Sequence, residues 1–409
     1  MKKSILYCII YNYGGRYNLK IANWAKTIKN NYLFQTVAEK TRKFAEENPG
    51  IKIINMGIGD VSLPISEFVV KSCLEASKEM GEISSFRGYS PNGGYDFLKE
   101  KIQEEYFQRD ISLDLDEIFI SDGAKSDMSN ILDIFSGQNI CSIPDPVYPV
   151  YLDTSIMKGL KIEFLDANEE NDFLPLPDFN VKRDIIYICS PNNPTGAAYS
   201  KEQMKKWVDY ANEYESIILY DAAYEAFIQD SNLCKSIFEI EGSKSCAIEF
   251  KSFSKSAGFT GMRCGYSIVP KELKRENISL NSIWSRRHST KFNGVPYIIQ
   301  RAAEASLSLQ GKHECEQNIE YYMQNYEKIS EVLSGLSIKF FGGNSPYVWM
   351  KCPNGMKSWE FFDYLLKNLK IVGTPGSGFG KNGENYFRLS CFGLHENVSE
   401  ACERLRNLL

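Results

Sequence analysis

Ile185-Ile186-Tyr187-Ile188-Cys189-Ser190-Pro191-Asn192-Asn193-Pro194-Thr195-Gly196 runs from five apolar residues into a loop of turn formers. An apolar run without polar alternation predicts a strand buried on both faces, as inside a parallel sheet. The prolines fix the loop that follows, and Asn193-Pro194 is a candidate cis peptide. The same order recurs outward in both directions. Further strands are predicted over 117–120, 139–143, 161–165, 216–220, 247–250 and 264–269, with amphipathic helices such as 201–213 between them. This alternation predicts an α/β fold: a mostly parallel central sheet flanked by helices.

Polar motifs sit directly after these strands. Ser121-Asp122-Gly123-Ala124-Lys125 follows the first, and Asp145-Pro146-Val147-Tyr148-Pro149 the second. Asp221 and Tyr224 close 216–220, while Ser252-Phe253-Ser254-Lys255, with Arg263 beyond, closes 247–250. Ligands of open parallel sheets gather at the carboxyl ends of strands, so five loops are expected to meet in one crevice.

The residue types in that crevice match one cofactor, pyridoxal 5'-phosphate (PLP). Lys255 supplies an amine for its aldehyde, and Asp221 a carboxylate to keep the pyridine nitrogen protonated. Ser252, Ser254 and Arg263 are donors for a phosphate dianion, and Gly123-Ala124-Lys125 opens a helix whose free amides suit the same group. Tyr148 can lie flat on the ring, and Asn193 and Tyr224 can donate to its phenolic oxygen. A buried carboxylate needs a cationic partner, which the pyridinium supplies to Asp221. Arg388, in the apolar run Tyr386-Phe387-Arg388-Leu389-Ser390, wants a bidentate carboxylate of the kind an amino acid carries. Once displaced by a substrate amine, Lys255 becomes the general base for the α proton, and ping-pong kinetics is expected. Gly376-Ser377-Gly378-Phe379-Gly380 lacks the lysine and helix of a phosphate loop and is read as a tight turn beside the substrate.

Composition bounds the rest. The 409 residues exceed one small domain. Residues 66–300 are read as the large PLP-binding domain, 301–409 as a small α+β domain, and 27–65 as an N-terminal arm joining the small domain. In the C-terminal part, helices are expected over 317–333, 359–368 and 396–409, with sheet at 337–341, 347–351 and 386–390. Residues 1–26 are read as a disordered extension or a start placed too far upstream, because the apolar stretch after Lys2-Lys3 is too short for a signal peptide. A net charge of −5 without a basic stripe argues against a nucleic-acid partner, and no apolar run reaches membrane-spanning length. Eleven cysteines, an odd number without a Cys-x-x-Cys pair, point to reduced thiols in the cytoplasm. The three histidines are not spaced as a metal site.

From residue 31 to the C-terminus these motifs resemble the class I/II aminotransferases of fold-type I. More narrowly, Gly57-Ile58-Gly59-Asp60, Phe86-Arg87-Gly88-Tyr89 and Ser254-Lys255-Ser256-Ala257-Gly258-Phe259-Thr260-Gly261 resemble the LL-diaminopimelate branch of that family. The resemblance implies transfer of an amino group from glutamate to tetrahydrodipicolinate, a lysine-pathway reaction. It implies Lys255, Asp221 and Tyr148 as catalytic residues, and Ala124, Lys125, Asn193, Tyr224, Ser252, Ser254 and Arg263 as further PLP contacts. Tyr32, Gly59, Lys125, Tyr148, Asn193 and Arg388 correspond to substrate contacts. Tyr89 and Asn293 correspond to residues reaching across a homodimer with shared active sites. One position departs from the branch: Asn92 stands where a glutamate usually faces the substrate's distal ammonium. A broader aspartate, alanine or aromatic aminotransferase, or a fold-type I lyase, therefore stays open beside the diaminopimelate reading.

Overall fold

The computed structural model describes residues 19–28 and 33–407. Most of 1–26, and Tyr32, lie outside that range. The large sheet has seven strands: β1 (Ile118–Ser121), β2 (Ile140–Asp145), β3 (Lys161–Asp166), β4 (Ile185–Cys189), β5 (Ile217–Asp221), β6 (Ala247–Ser252) and β7 (Gly265–Ile268). Their order across the sheet is β1-β7-β6-β5-β4-β2-β3. The run from β6 to β3 is parallel, and β7 is antiparallel to both neighbours.

Every residue of β4 and β5 is buried, as their unbroken apolar character requires. Ile186 and Ile188 enter one apolar core, while Ile185, Tyr187 and Cys189 enter another, so alternate side chains feed the two faces. The edge strand β3 departs from that pattern: of its residues only Leu165 is buried. An edge has a neighbour on one side only, and helices cover it less.

Helix Lys201–Glu213 shows how local sequence sets a boundary. Ser200 accepts from the Gln203 amide at 3.1 Å, and the Gln203 side chain accepts from the Ser200 amide at 2.9 Å. This reciprocal cap satisfies two orphan donors of the first turn. Met204, Trp207, Val208 and Ala211 then fall on one face and are fully buried. Each large side chain of this kind contributes roughly 1.5–3 kcal/mol by leaving water.

A second sheet carries β8 (Phe340–Gly342), β9 (Tyr347–Lys351), β10 (Thr374–Pro375) and β11 (Tyr386–Ser390) in the order β8-β9-β11-β10, all antiparallel. Leu33, Val37, Ile54 and Met56 share its apolar core, and Ile54–Asn55 pairs with Ile371–Val372. Helix Leu309–Gly335, 27 residues long, joins the two cores. Cys315 packs in the large-sheet core, whereas Ile329, Val332 and Leu333 pack in the other. At 1.5 Å per residue the helix spans roughly 40 Å, a continuous rod between them. It begins eight residues before the expected 317, because Ser308 caps it through the Gly311 amide at 3.1 Å.

Candidate active site

The carboxyl ends of β4, β5 and β6 point the same way, and a cavity of about 700 Å³ opens beside them. Helix Leu33–Glu47 contributes Phe34, Val37 and Thr41 to its wall, and the second sheet contributes Tyr347 and Arg388. The loops predicted to converge do so.

Asp221 is the last residue of β5, paired in register with Cys189. It is 4% exposed, and its oxygens accept from the Tyr151 hydroxyl and from the Ala223 amide at 3.0 Å. No cation pairs with it among the described residues, and burial raises its pKa above the ordinary carboxylate range. Tyr151 stacks on Tyr187 at 4.6 Å, and the Tyr187 hydroxyl donates to the Met128 carbonyl at 3.0 Å. One ring stack and two tyrosine hydrogen bonds thus hold the Asp221 carboxylate in one orientation.

Lys255 lies just beyond β6, in the short helical turn Phe253–Ser256. Its amine donates to the Gly59 carbonyl. Burial lowers its pKa to about 8, opposed by the Asp60 carboxylate and reinforced by Arg388 and Arg263. A lysine so placed spends a substantial fraction of its time neutral near physiological pH.

Next to it, the Ser252 hydroxyl accepts from the Ser254 amide at 3.2 Å, and Arg263 donates to the Ser254 hydroxyl at 3.3 Å. Arg263 holds a left-handed backbone, φ 63°. That conformation is unfavourable for a side-chain-bearing residue and here aims the guanidinium at Gly123. A Cβ on Gly123, whose φ is 134°, would lie 2.7 Å from the Arg263 Nη2. Ala124 and Lys125 follow and line the same end of the cavity.

Arg388, on β11, is 1% exposed and has no carboxylate partner among the described residues. Its Nη1 donates to Asn193 Oδ1 at 2.7 Å, its Nη2 to the Gly57 carbonyl at 2.7 Å, and its Nε has no partner. A guanidinium only donates, so Asn193 turns its oxygen to Arg388 and its NH2 group away. The Tyr224 and Tyr347 hydroxyls meet at 2.8 Å. A Cβ on Gly59 would lie 2.3 Å from the Tyr347 hydroxyl, which explains the glycine there.

Of the residues singled out from sequence, Gly59, Ala124, Lys125, Tyr148, Asn193, Asp221, Tyr224, Ser252, Ser254, Lys255, Arg263 and Arg388 all line this cavity. Tyr89 (86% exposed) and Asn293 are at the surface and do not line it. The glycine turn 376–380 approaches other protein rather than the cavity: just after it, the Lys381 and Asn382 amides donate to Asp145 at 3.0 and 3.1 Å. Sequence reasoning missed Tyr151, Tyr347 and the wall from helix Leu33–Glu47. Tyr151 was findable, since it lies three residues beyond Tyr148, on the first turn of the helix that follows, and the two rings meet at 6.0 Å. Tyr347 was not, because its partner Tyr224 is 123 residues away.

Residues 51–405 match the family model "Aminotransferase class I and II". The chain belongs to that family. It is 50% identical over 400 residues to the LL-diaminopimelate aminotransferase of Prochlorococcus marinus, covering 93% of this chain and 98% of that protein. It is 47% identical over 409 residues to the Methanosphaera stadtmanae protein of the same name, covering 95% and 99%. Among solved structures, L,L-diaminopimelate aminotransferase from Chlamydomonas reinhardtii superposes with a TM-score of 0.91 at 36% identity, covering 96% of this chain and all of that one. Thermus thermophilus aspartate aminotransferase shares the fold at 20% identity, with a TM-score of 0.84 over 96% of this chain.

As a class I/II aminotransferase of fold-type I, the chain is a PLP-dependent enzyme acting on amino acids and 2-oxoacids. Its residues fit the cofactor. A buried carboxylate without a counter-cation meets the need of a pyridinium, and the Ser252, Ser254 and Arg263 donors around Gly123 meet that of a phosphate. A lysine amine depressed to about 8 is suited to bond an aldehyde.

Proposed function

We propose that this aminotransferase moves an amino group between glutamate and tetrahydrodipicolinate, with LL-diaminopimelate as the amino product. The observation that carries the amino-acid reading is Arg388: a buried guanidinium held only by neutral acceptors, in the same cavity as Lys255. A substrate carboxylate is the partner its fork lacks. The names of relatives at 47% and 50% identity support the diamino acid.

In this reading Arg388 orients the substrate carboxylate, with Tyr32, Gly59, Lys125 and Asn193 as further contacts. When bound, PLP withdraws electrons from the substrate Cα. Asp221 holds the charge on the ring nitrogen, kept in place by Tyr151. Tyr148 covers the ring face, and Asn193 and Tyr224 donate to its phenolic oxygen. Ser252, Ser254, Arg263, Ala124 and Lys125 hold the phosphate. Lys255 takes the α proton and returns it on the other side of the transfer.

Tyr89 and Asn293 serve the site of a second copy in a C2 homodimer. The exposed apolar side chains of Ile83, Phe86 and Tyr89 support such an interface. Residues 66–300 form the PLP-binding domain, and 27–65 with 301–409 the smaller one. A cytoplasmic location fits the cysteines, all unpaired among the described residues, and the absence there of a helix able to cross a membrane.

Asn92 favours a second reading, a broader donor range. Its Nδ2 donates to Ser285 Oγ at 3.2 Å, and it brings no charge. A donor panel decides. LL-diaminopimelate with 2-oxoglutarate is expected to release glutamate, and Asn92→Glu to raise that rate. Turnover of alanine, aspartate or aromatic donors without LL-diaminopimelate overturns the substrate assignment. Ammonia and pyruvate from cysteine-like substrates would mark a lyase instead.

A further inference from the structure

We infer that Asp60 is the residue of this chain that recognises a distal ammonium on the substrate. The inference rests on the diamino-acid reading above and deepens it. Among the described residues lining the cavity only two are acidic, Asp60 and Asp221. Asp221 lies at the floor, bonded to Tyr151 and Ala223, and is committed to the ring. The same wall carries five cations: Arg42, Lys125, Lys255, Arg263 and Arg388. In the loaded site Lys125 and Arg263 face the phosphate and Arg388 the substrate carboxylate, while Arg42 is paired with Glu46, so Asp60 is the one carboxylate of this wall left to meet a second ammonium.

Asp60 is free for that task. No ion pair or hydrogen bond engages its side chain among the described residues; its one electrostatic contact of note is with Lys255. It follows Gly59, whose carbonyl accepts from the Lys255 amine, and is itself exposed, so it stands on the cavity wall outward of the reacting amine, where a distal group would lie. Asn92, where the resemblance places the usual carboxylate, donates to Ser285 and has no charge to contribute. Arg42 is turned to Glu46 at 2.6 Å and does not compete for Asp60.

The test compares single-turnover rate constants of PLP-loaded enzyme with LL-diaminopimelate, L-ornithine and L-glutamate, in the parent, Asp60→Asn and Asp60→Glu. Folding and PLP content are checked by melting and by visible absorbance. Asp60→Asn is expected to lower the single-turnover rate constant at subsaturating donor for the diamino acids relative to glutamate by about tenfold or more, the worth of a hydrogen bond to a charged group. Asp60→Glu should recover most of that ratio. Equal losses for all donors would make Asp60 a support for Lys255 and overturn the inference, as would an unchanged ratio. Should LL-diaminopimelate be inert with the parent while ornithine reacts and loses selectively, the substrate assignment fails and the role of Asp60 stands. If neither diamino acid reacts, both fall.

Discussion

Arg388→Met separates a substrate-binding role from a structural one. The guanidinium has no counter-ion among the described residues: its partners are Asn193 Oδ1 and the Gly57 carbonyl at 2.7 Å and Thr374 Oγ1 at 3.4 Å. The rings of Tyr347, Phe379 and Phe34 surround it at 4.3, 4.9 and 5.6 Å. Removing one partner of a buried, hydrogen-bonded charge pair costs about 2–5 kcal/mol. At about 1.4 kcal/mol per factor of ten, kcat/KM for glutamate should fall roughly 30- to 4000-fold. Stability should respond differently. The substitution deletes a buried charge and so relieves its desolvation, while losing hydrogen bonds and ring contacts. These effects oppose, and the net loss is expected to stay below about 2 kcal/mol, against about 3–5 kcal/mol for breaking a buried ion pair. Glutamate kinetics and urea unfolding of the same preparation, with PLP content measured, provide both readings. A kcat/KM within about threefold of the parent would refute the carboxylate contact. A loss of about 3–5 kcal/mol in stability would show that the charge is part of a structural pair.

Two further outcomes concern the cofactor end. Because burial lowers the Lys255 amine to about 8 from an ordinary lysine value, capture of PLP by cofactor-free protein should speed up as pH rises through about 8. The growth of visible absorbance against pH checks this, and a midpoint near that of a free lysine contradicts it. Asp221→Asn should invert with cofactor state. Burial raises the Asp221 pKa, so the folded cofactor-free chain holds a proton more tightly than the unfolded one, and ionising it at neutral pH opposes folding. The amide removes that opposition, so cofactor-free Asp221→Asn should melt above the parent, while its PLP-loaded form should melt below. A lower melting point in both states would mean that the hydrogen bonds to Tyr151 and Ala223, not the charge, dominate the site.

Much of the large sheet was legible because its signal is local. Runs such as 185–189 and, after Ser216, 217–220 are apolar throughout, and the polar motif after each marks the carboxyl end where ligands gather. Helix Lys201–Glu213 was legible from its apolar stripe, and the Ser200–Gln203 cap fixes where it starts. The second sheet was less so. The strand expected at 337–341 begins at Phe340, because Ser337 adopts a left-handed backbone, φ 55°, that no strand continues through. The helix expected over 359–368 runs Ser358–Tyr364 and then widens into a π turn, Leu365–Leu369. That change satisfies packing of Leu365, Leu366 and Leu369 in the core, a demand set by distant neighbours.

By itself the sequence determined which chemical groups were candidates for the site: a lysine, an aspartate and phosphate donors at or just beyond apolar strands of the large sheet, and a lone arginine inside the apolar run 386–390. Folding decided what those groups are like. Whether the Arg388 charge has a counter-ion, how far the Lys255 proton is loosened, and that Tyr151 and Tyr347 brace Asp221 and Tyr224 depend on burial and on pairs up to 331 residues apart. Residue identity is local, whereas solvation and charge pairing are properties of the three-dimensional neighbourhood, because fields and exclusion of water act through space rather than along the chain.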